Sequence, residues 1–422
     1  MSAPPSLLRF RFDDQSLTFE ADKGATVAAA LWANGKRVLA RSPKYHRPRG
    51  PSCMRGACDG CLVRINGEPN VLSCLVPLED GMEIESQNTM GSRESDLLRF
   101  ADFMFPSGMN HHELFAGVPV VQDVMQAAAR RIAGLGTLPK DVHASQEATR
   151  QQVEVLIVGS GAFGMHAANA LVTLGKARVA EGKAALRVAV VEDTHRAGGS
   201  TNARMGEALS PFEACRAEFF ANVQVGAIEL YVQTTLTGIY GEDWLAVNAS
   251  GATLFEPKLA VIANGVHDRT LAFEQNDLPG VMSARAGLML LSQGAKLGER
   301  VLVVRAGGDL VEAIAQAWQS FGFTKDSLLV CEGPLKSVRG SSKVKGAVLE
   351  SGEELECDTV LIDAPGEPAL ELANQAGLAV GPSKVGFELL ADALTFAGRN
   401  GESRSVVAIG EVAGASVTKE AM

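Results

Sequence analysis

Four of the seven cysteines, Cys53, Cys58, Cys61 and Cys74, follow the spacing C-x4-C-x2-C-x12-C. The first three match the plant-type ferredoxin pattern, in which four thiolates converge on two irons. A short loop delivers three ligands and a later strand delivers the fourth. Gly56 and Gly60 give the loop turns that a side chain would obstruct. Such turns also aim backbone amides at the sulfur atoms, which tunes the potential. The competing reading is a structural zinc site, although zinc motifs more often pair two C-x2-C knuckles. Cys215, Cys331 and Cys357 are scattered and read as buried or inert thiols. The start, MSAPPSLLRFRFDD, has no apolar signal core, so the expected location is the cytoplasm. In that reducing compartment the clustered cysteines read as metal ligands rather than disulfides.

A second constellation is G-x-G-x-x-G at Gly159, Gly161 and Gly164, placed between the apolar run VEVLIV and the helical run MHAANALVTLG. Gly159 makes the turn, Gly161 lets a pyrophosphate approach, and Gly164 lets helix and strand pack. The helix N-terminus then faces the phosphates. Glu192 ends the next strand, RVAVVE, and is expected to accept from an adenosine ribose hydroxyl, which disfavours NADP here. The competing reading is a glycine-rich packing turn without a ligand. Gly198–Gly199 resembles the second phosphate-side motif of flavoproteins with two dinucleotide-binding domains. Gly410–Glu411, after the strand SVVAI, resembles their third FAD element, although Asp is more usual there than Glu. FAD, or another adenine nucleotide, is the expected occupant.

The middle strand–turn–helix, VVRAGGDLVEA, is where such proteins bind NAD(P)H. Here Asp309 falls where the second glycine would approach the pyrophosphate, and a carboxylate there is bulky and repulsive. A decayed NAD site is the preferred expectation.

These groups need elements to hold them. LLRFRF–DDQ–SLTFEA reads as a hairpin, and Thr26 caps a helix through VAAALWAN that stops at Gly35. Hairpin, helix, ligand loop and strands make a β-grasp order over residues 1–90. Residues 91–150 are a connecting segment with a helix in VVQDVMQAAARRIAGLG. Alternating strands and helices from 153 onward signal a parallel α/β sheet. The fold class is therefore multi-domain α/β: an N-terminal β-grasp [2Fe–2S] domain, then a Rossmann-like flavoprotein fold with two dinucleotide-binding domains. The first of these occupies 151–270 and 385–422, and the second, degenerate one occupies 271–384. The charge balance of 39 basic against 49 acidic residues gives −10, which disfavours nucleic acid as a partner. No run of about twenty apolar residues exists to span a membrane.

On RSPKYHRPRG, PNVLSCLVPLEDG, RRIAGLG, VLIVGSGAFG and NDLPGVMSARAGLMLL, nearly the whole chain resembles one family. This is the α subunit of heterotetrameric sarcosine oxidase, with the related proline, hydroxyproline and opine dehydrogenases and hydrogen cyanide synthase. The resemblance implies an electron-transfer subunit of a multi-subunit amine or imino-acid dehydrogenase or oxidase. A β-type subunit with its own FAD would oxidise the substrate, and further small subunits occur in some complexes. In several relatives an FMN sits at the α/β interface, and the basic loop Arg41, Lys44, His46, Arg47 and Arg49 could meet its phosphate or the partner surface. In the sarcosine oxidase α subunit the N-terminal domain typically lacks the cysteines, whereas this chain retains all four. Tetrahydrofolate chemistry is not expected of these residues.

Two other functions stay open at this point: a stand-alone NADH-dependent flavin and iron–sulfur reductase, and a non-catalytic scaffold with a structural cluster and a bound nucleotide. His111 and His112 are adjacent and do not share a face, so a shared metal site is disfavoured. His166 reads as packing. No Ser-His-Asp set and no paired carboxylates of persuasive spacing are visible, so no catalytic base is assigned and substrate oxidation is expected elsewhere.

Overall fold

The structure, a computed structural model, describes residues 6–21, 24–42, 45–89, 147–203, 210–383 and 386–414, with isolated residues between 93 and 124. Lys44, His111, His112 and most of the expected helix near 120–136 lie outside the described residues. Two compact units divide the chain. The first comprises Met1–His143, Thr270–Ala306 and Gly322–Asp363; the second comprises Ala144–Arg269, Gly307–Phe321 and Ala364–Met422.

In the first unit, β1 (Ser6–Phe12) and β2 (Gln15–Ala21) form an antiparallel hairpin. Its tight turn holds Asp13 at a φ of 50°, a left-handed conformation that Asp tolerates better than most residues. Helix α1 (Val27–Ala33) follows, with the Thr26 hydroxyl accepting from the amide of Ala29 at 3.3 Å. Gly35, at a φ of 72°, stops it. Strands β3 (Leu62–Ile65), β4 (Glu68–Leu72) and β5 (Glu83–Glu85) complete a mixed sheet in the order β2-β1-β5-β3-β4, with β1 and β5 parallel. Val27 to Trp32 are all buried. A helix that is apolar all round must be covered all round.

Part of that cover comes from a later segment of the same unit. Trp32 Nε1 donates to the carbonyls of Lys296 and Leu297, both at 3.1 Å. Arg37 lies 3.5 Å over the Trp32 ring and donates to the Leu297 carbonyl at 2.8 Å. Burial pulls the Arg37 pKa down to about 10, against the attraction of Asp358.

In the second unit, β6 (Thr149–Val158), α2 (Ala162–Ala180) and β7 (Val188–Val191) make the first strand–helix–strand repeat. Helix α3 (Ser210–Gln224) leads to β8 (Ile228–Tyr231). Strands β9 (Thr235–Tyr240), β10 (Asp243–Asn248) and β11 (Gly251–Ile262) form an antiparallel meander that returns beside β6. The path is β8-β7-β6-β11-β10-β9, and the strand Ser403–Ala408 adds parallel to β11. Val155, Ile157, Val188 and Val190 pack one face with Met165, Ala168 and Val172 of α2 and Phe219 of α3. Leu156, Val158, Ala189 and Val191 pack the other face with Phe255, Ile262 and Val406. These strands are buried on both faces and so read as continuous apolar runs.

A four-stranded sheet also belongs to the first unit. It contains β12 (Val281–Ser283), β13 (Val301–Arg305), β14 (Leu328–Cys331) and β15 (Thr359–Asp363), all parallel, in the order β12-β15-β13-β14. Among the described residues no helix is long and apolar enough to cross a membrane.

Candidate functional sites

The cysteine loop is held by close backbone approach. A Cβ on Gly60 would sit 2.2 Å from the Gly50 carbonyl oxygen, and one on Gly50 would sit 2.2 Å from that of Arg37. Gly56, at a φ of 76°, turns its amide to the Cys74 sulfur at 3.3 Å, and the Arg55 amide lies 3.4 Å from the Cys53 sulfur. Cys53, Cys61 and Cys74 are buried and Cys58 is half-buried. Just ahead of the loop, the Ser52 carbonyl accepts from the Ser283 amide at 3.1 Å. The Ser73 hydroxyl donates to the Cys61 carbonyl at 2.7 Å, tying the turn that carries the fourth cysteine to the loop.

The thiols couple two by two. A hydrogen bond with Cys53 draws the Cys58 pKa down to about 6, helped by amides including that of Gly60 and opposed by burial. The same bond, then burial, pushes Cys53 up. A hydrogen bond with Cys74 likewise lowers Cys61, and Cys74 rises. Among the described residues no three His, Cys, Asp or Glu side chains gather as ligands of one metal ion.

The basic loop before the cysteines is spent on the chain itself. Arg41 is 1% exposed and donates to the carbonyls of His46 and Arg93. His46 is buried, with Nδ1 at 3.1 Å from Asp96 Oδ2. Arg47 and Arg49 reach Asp277 at 3.6 and 4.0 Å. The expectation that this loop meets an FMN phosphate or a partner gains no support from the geometry.

In the second unit, sheet register assembles the nucleotide candidates. Val158 pairs with both Val191 and Ile262, and Ile262 pairs with Ala408. Gly159, Glu192, Ala263 and Ile409–Gly410 therefore leave the sheet along one carboxyl edge, where open α/β sheets bind ligands. A Cβ on Gly159 would lie 2.5 Å from the Ala263 carbonyl oxygen, and one on Gly164 would lie 2.0 Å from that of Gly159. Gly161 differs: a Cβ there meets nothing within 4 Å, and its φ of −67° is ordinary. It begins α2 without a side-chain cap, so the first helical amides stay available to an anion. Gly198 adopts a φ of 133°, and a Cβ on Gly199 would come within 3.0 Å of Gly161. Gly410 packs against Phe163, which a Cβ would meet at 2.5 Å.

Glu192 departs from the role expected of it. It is 5% exposed, and its Oε2 accepts from the Ser160 amide at 3.0 Å and the Ser160 hydroxyl at 2.5 Å. Its Oε1 accepts from the Thr194 amide at 3.1 Å and hydroxyl at 2.7 Å. Four donors fill the acceptor sites of a carboxylate. Ser160 Oγ also accepts from the Gly198 amide at 3.3 Å. Ser160 thus joins three segments, and nothing in the glycine pattern reveals it. The stretch Ala263–Gly265, which forms another wall, was also invisible in the sequence; a Cβ on Gly265 would lie 3.6 Å from Glu411 Oε2.

At the middle motif Gly307 takes a φ of 89°. Glu332, just after β14, occupies the place that Glu192 has after β7, and it pairs with Arg305 at 3.1 Å. Helix α4 (Ala284–Ser292) is capped by Ser283, and α5 (Val311–Ser320) has Glu312 in its first turn. His166 is exposed, which corrects the packing role read for it. Cys357 is buried, and burial raises its pKa to about 12.

Residues 6–89 match the 2Fe–2S iron–sulfur cluster binding domain family. The sarcosine oxidase subunit alpha of Rhizobium meliloti (strain 1021) is 27% identical over 342 residues, covering 75% of this chain and 33% of that protein. The chain is thus similar to sarcosine oxidase alpha subunits over about three quarters of its length. The same-named subunit of Corynebacterium sp. (strain P-1) is 26% identical over 327 residues, covering 72% of this chain and 28% of its own length. The chain therefore spans about a third of the length of these relatives. The crystal structure of L-proline dehydrogenase from P. horikoshii shares the fold, with a TM-score of 0.66 at 20% identity over 98% of this chain and 70% of that one. The chain thus pairs a 2Fe–2S domain match with the fold of that dehydrogenase.

Proposed function

We propose that the chain is the electron-transfer subunit of a multi-subunit amine or imino-acid dehydrogenase or oxidase. Cys53 and Cys58 would hold one iron of a [2Fe–2S] cluster, and Cys61 and Cys74 the other. The match of residues 6–89 to the 2Fe–2S domain family, with all four cysteines inside it and three of them buried, is the observation that carries the reading. The Gly159–Gly164 turn, the start of α2 and the Gly198–Gly199 turn would hold FAD. Such groups would supply the exchange between two-electron flavin chemistry and one-electron cluster chemistry. The residues of this chain supply binding and electrostatics: amides of Arg55, Gly56 and Gly60 favour charged sulfur, and burial keeps water from the thiols. Substrate oxidation is assigned to a β-type flavoprotein partner, in keeping with the family, because no base is placed at either site.

A stand-alone NADH reductase is the weaker reading. Asp309 stands in the sequence where the second glycine of the middle motif would approach a pyrophosphate, and in the first unit Arg305 pairs with Glu332, the acid after β14. The deciding experiment is an anaerobic preparation of the native complex. Iron and acid-labile sulfide in equal amounts, FAD released from this subunit and cluster reduction by substrate are expected. Zinc in place of iron, or rapid amine oxidation by the isolated chain, would refute the proposal.

A further inference from the structure

In the first unit the strands Leu335–Gly340 and Val344–Leu349 form an antiparallel hairpin. Residues 334–349 hold Lys336, Arg339, Lys343 and Lys345 and no acidic residue, in a chain whose net charge is −10. All four basic residues are exposed. Arg339 pairs with Glu354 at 2.7 Å. Glu274 runs beside Lys336, its amide donating to the Lys336 carbonyl at 3.1 Å. Glu350 and Glu353 lie past the opposite end of the strands from the turn. Lys343 and Lys345 make no ion pair among the described residues. The turn that carries them is held tightly: a Cβ on Gly340, at a φ of 155°, would lie 2.1 Å from the Lys343 carbonyl oxygen.

Short contacts join this turn to the cysteine loop. The Val344 amide, between the two lysines, donates to the Pro279 carbonyl at 3.1 Å. A Cβ on Gly50 would lie 3.0 Å from Pro279 Cβ. One on Gly60 would lie 2.2 Å from the Gly50 carbonyl oxygen and 3.6 Å from Cys58 Sγ. Cys58 is the only one of the four clustered cysteines that is not buried. Nearby charges otherwise offset one another. Arg55 and Asp59 cancel within the loop, Asp277 is engaged by Arg47 and Arg49, and Asp358 is countered by Arg37. Lys343 and Lys345 therefore set the sign of the field on this side of the cysteine loop. We infer that the Lys343–Lys345 turn docks a one-electron carrier protein with an acidic face, and so brings the carrier beside Cys58. The carrier gains one electron and the cluster loses one; no bond forms or breaks and no proton moves. The electron step rests on the proposal that the cysteines hold a [2Fe–2S] cluster.

The test uses the full chain, with plastocyanin as an acidic carrier and cytochrome c as a basic one. Association of each oxidised carrier is timed, and oxidation of the reduced cluster is followed separately by stopped flow. Were net charge decisive, the chain would repel plastocyanin and salt would speed their encounter. The turn predicts the opposite sign, an arm that needs no variant. Plastocyanin should associate at least about tenfold more slowly as salt rises from about 0.01 M to about 1 M. Lys343→Glu combined with Lys345→Glu should slow it at least about tenfold at low salt, and within about twofold of wild type at 1 M. Lys176→Glu combined with Lys258→Glu makes the same charge change at exposed lysines of the second unit, and should alter association by less than about twofold. Equal losses from the two double variants would overturn the inference. So would plastocyanin association that speeds with salt, or phosphatidylserine vesicles bound more tightly than plastocyanin. A chain without iron would overturn the cluster proposal and the electron step with it, while the salt and reversal arms, which need no iron, still decide the docking surface.

Discussion

Ser160 Oγ lies 2.5 Å from Glu192 Oε2, deep in the second unit. With Thr194 on the other oxygen, the carboxylate braces the turn before any ligand arrives. Glu192→Gln should therefore destabilise even the cofactor-free chain, by about 2–3 kcal/mol, because an amide NH2 would face the Ser160 or Thr194 amide donors. Urea unfolding of the stripped protein measures this. A residue serving only an adenosine ribose would show no loss without the cofactor.

Gly161 and Gly60 look alike as glycines but differ in what surrounds them. Space around Gly161 is open and its φ is ordinary, so Gly161→Ala should keep stability within about 0.5 kcal/mol. It should nonetheless weaken FAD more than about tenfold, because the methyl occupies the ground of the pyrophosphate. Calorimetric titration beside a melting curve separates the two effects. Unchanged FAD affinity would mean that this turn is packing alone.

At Gly60 a methyl would strike the Gly50 carbonyl at 2.2 Å. Gly60→Ala should cost about 2–4 kcal/mol through backbone displacement. The amide of Gly60 would move with the loop, so iron content per chain should fall as well. Full iron loading and an unchanged melting temperature would contradict this.

The sequence announced what depends on spacing along the chain. The cysteines, the glycine fingerprint, the β1–β2 hairpin and the Thr26 cap are local patterns whose geometry follows from a few neighbouring residues. It did not announce contacts that depend on register or distant segments. The stretch Ala263–Gly265 lies against the Gly159 turn because Val158 pairs with Ile262, and no motif encodes that. Arg41 and His46 suggested a binding surface by charge, yet the fold turns both inward. Glu192 was correctly placed on the sheet edge, but its partners Ser160 and Thr194 are common residues that carry no signal.

Trp32 offers a test of how the first unit is built. Its indole bonds to Lys296 and Leu297 across more than 260 residues of sequence, beneath the stacked Arg37. Trp32→Phe keeps most of the volume but leaves the carbonyls without that donor, and should cost about 1–3 kcal/mol. Trp32→Ala should cost about 3–5 kcal/mol. If the iron–sulfur absorbance and the melting of the whole unit are insensitive to both, the segment near 297 does not support the N-terminal module.

The carboxyl groups beside β10 set a pH dependence. Burial opposes ionisation of Asp243, but hydrogen bonds from Arg150 and Arg399 outweigh it and hold its pKa below the ordinary value. A group depressed in the folded state adds stability above its unfolded pKa, about 3.9. That contribution drains away as the pH falls from there through the folded value. Asp243→Asn should therefore melt several degrees lower at pH 7, with the gap to wild type narrowing as the pH drops below about 4. Both proteins should be followed by circular dichroism, since their difference removes losses they share, including any at the cysteine loop. A gap that stays constant across that range would show that the arginines contribute packing rather than charge, because only the ionised carboxylate responds to protons.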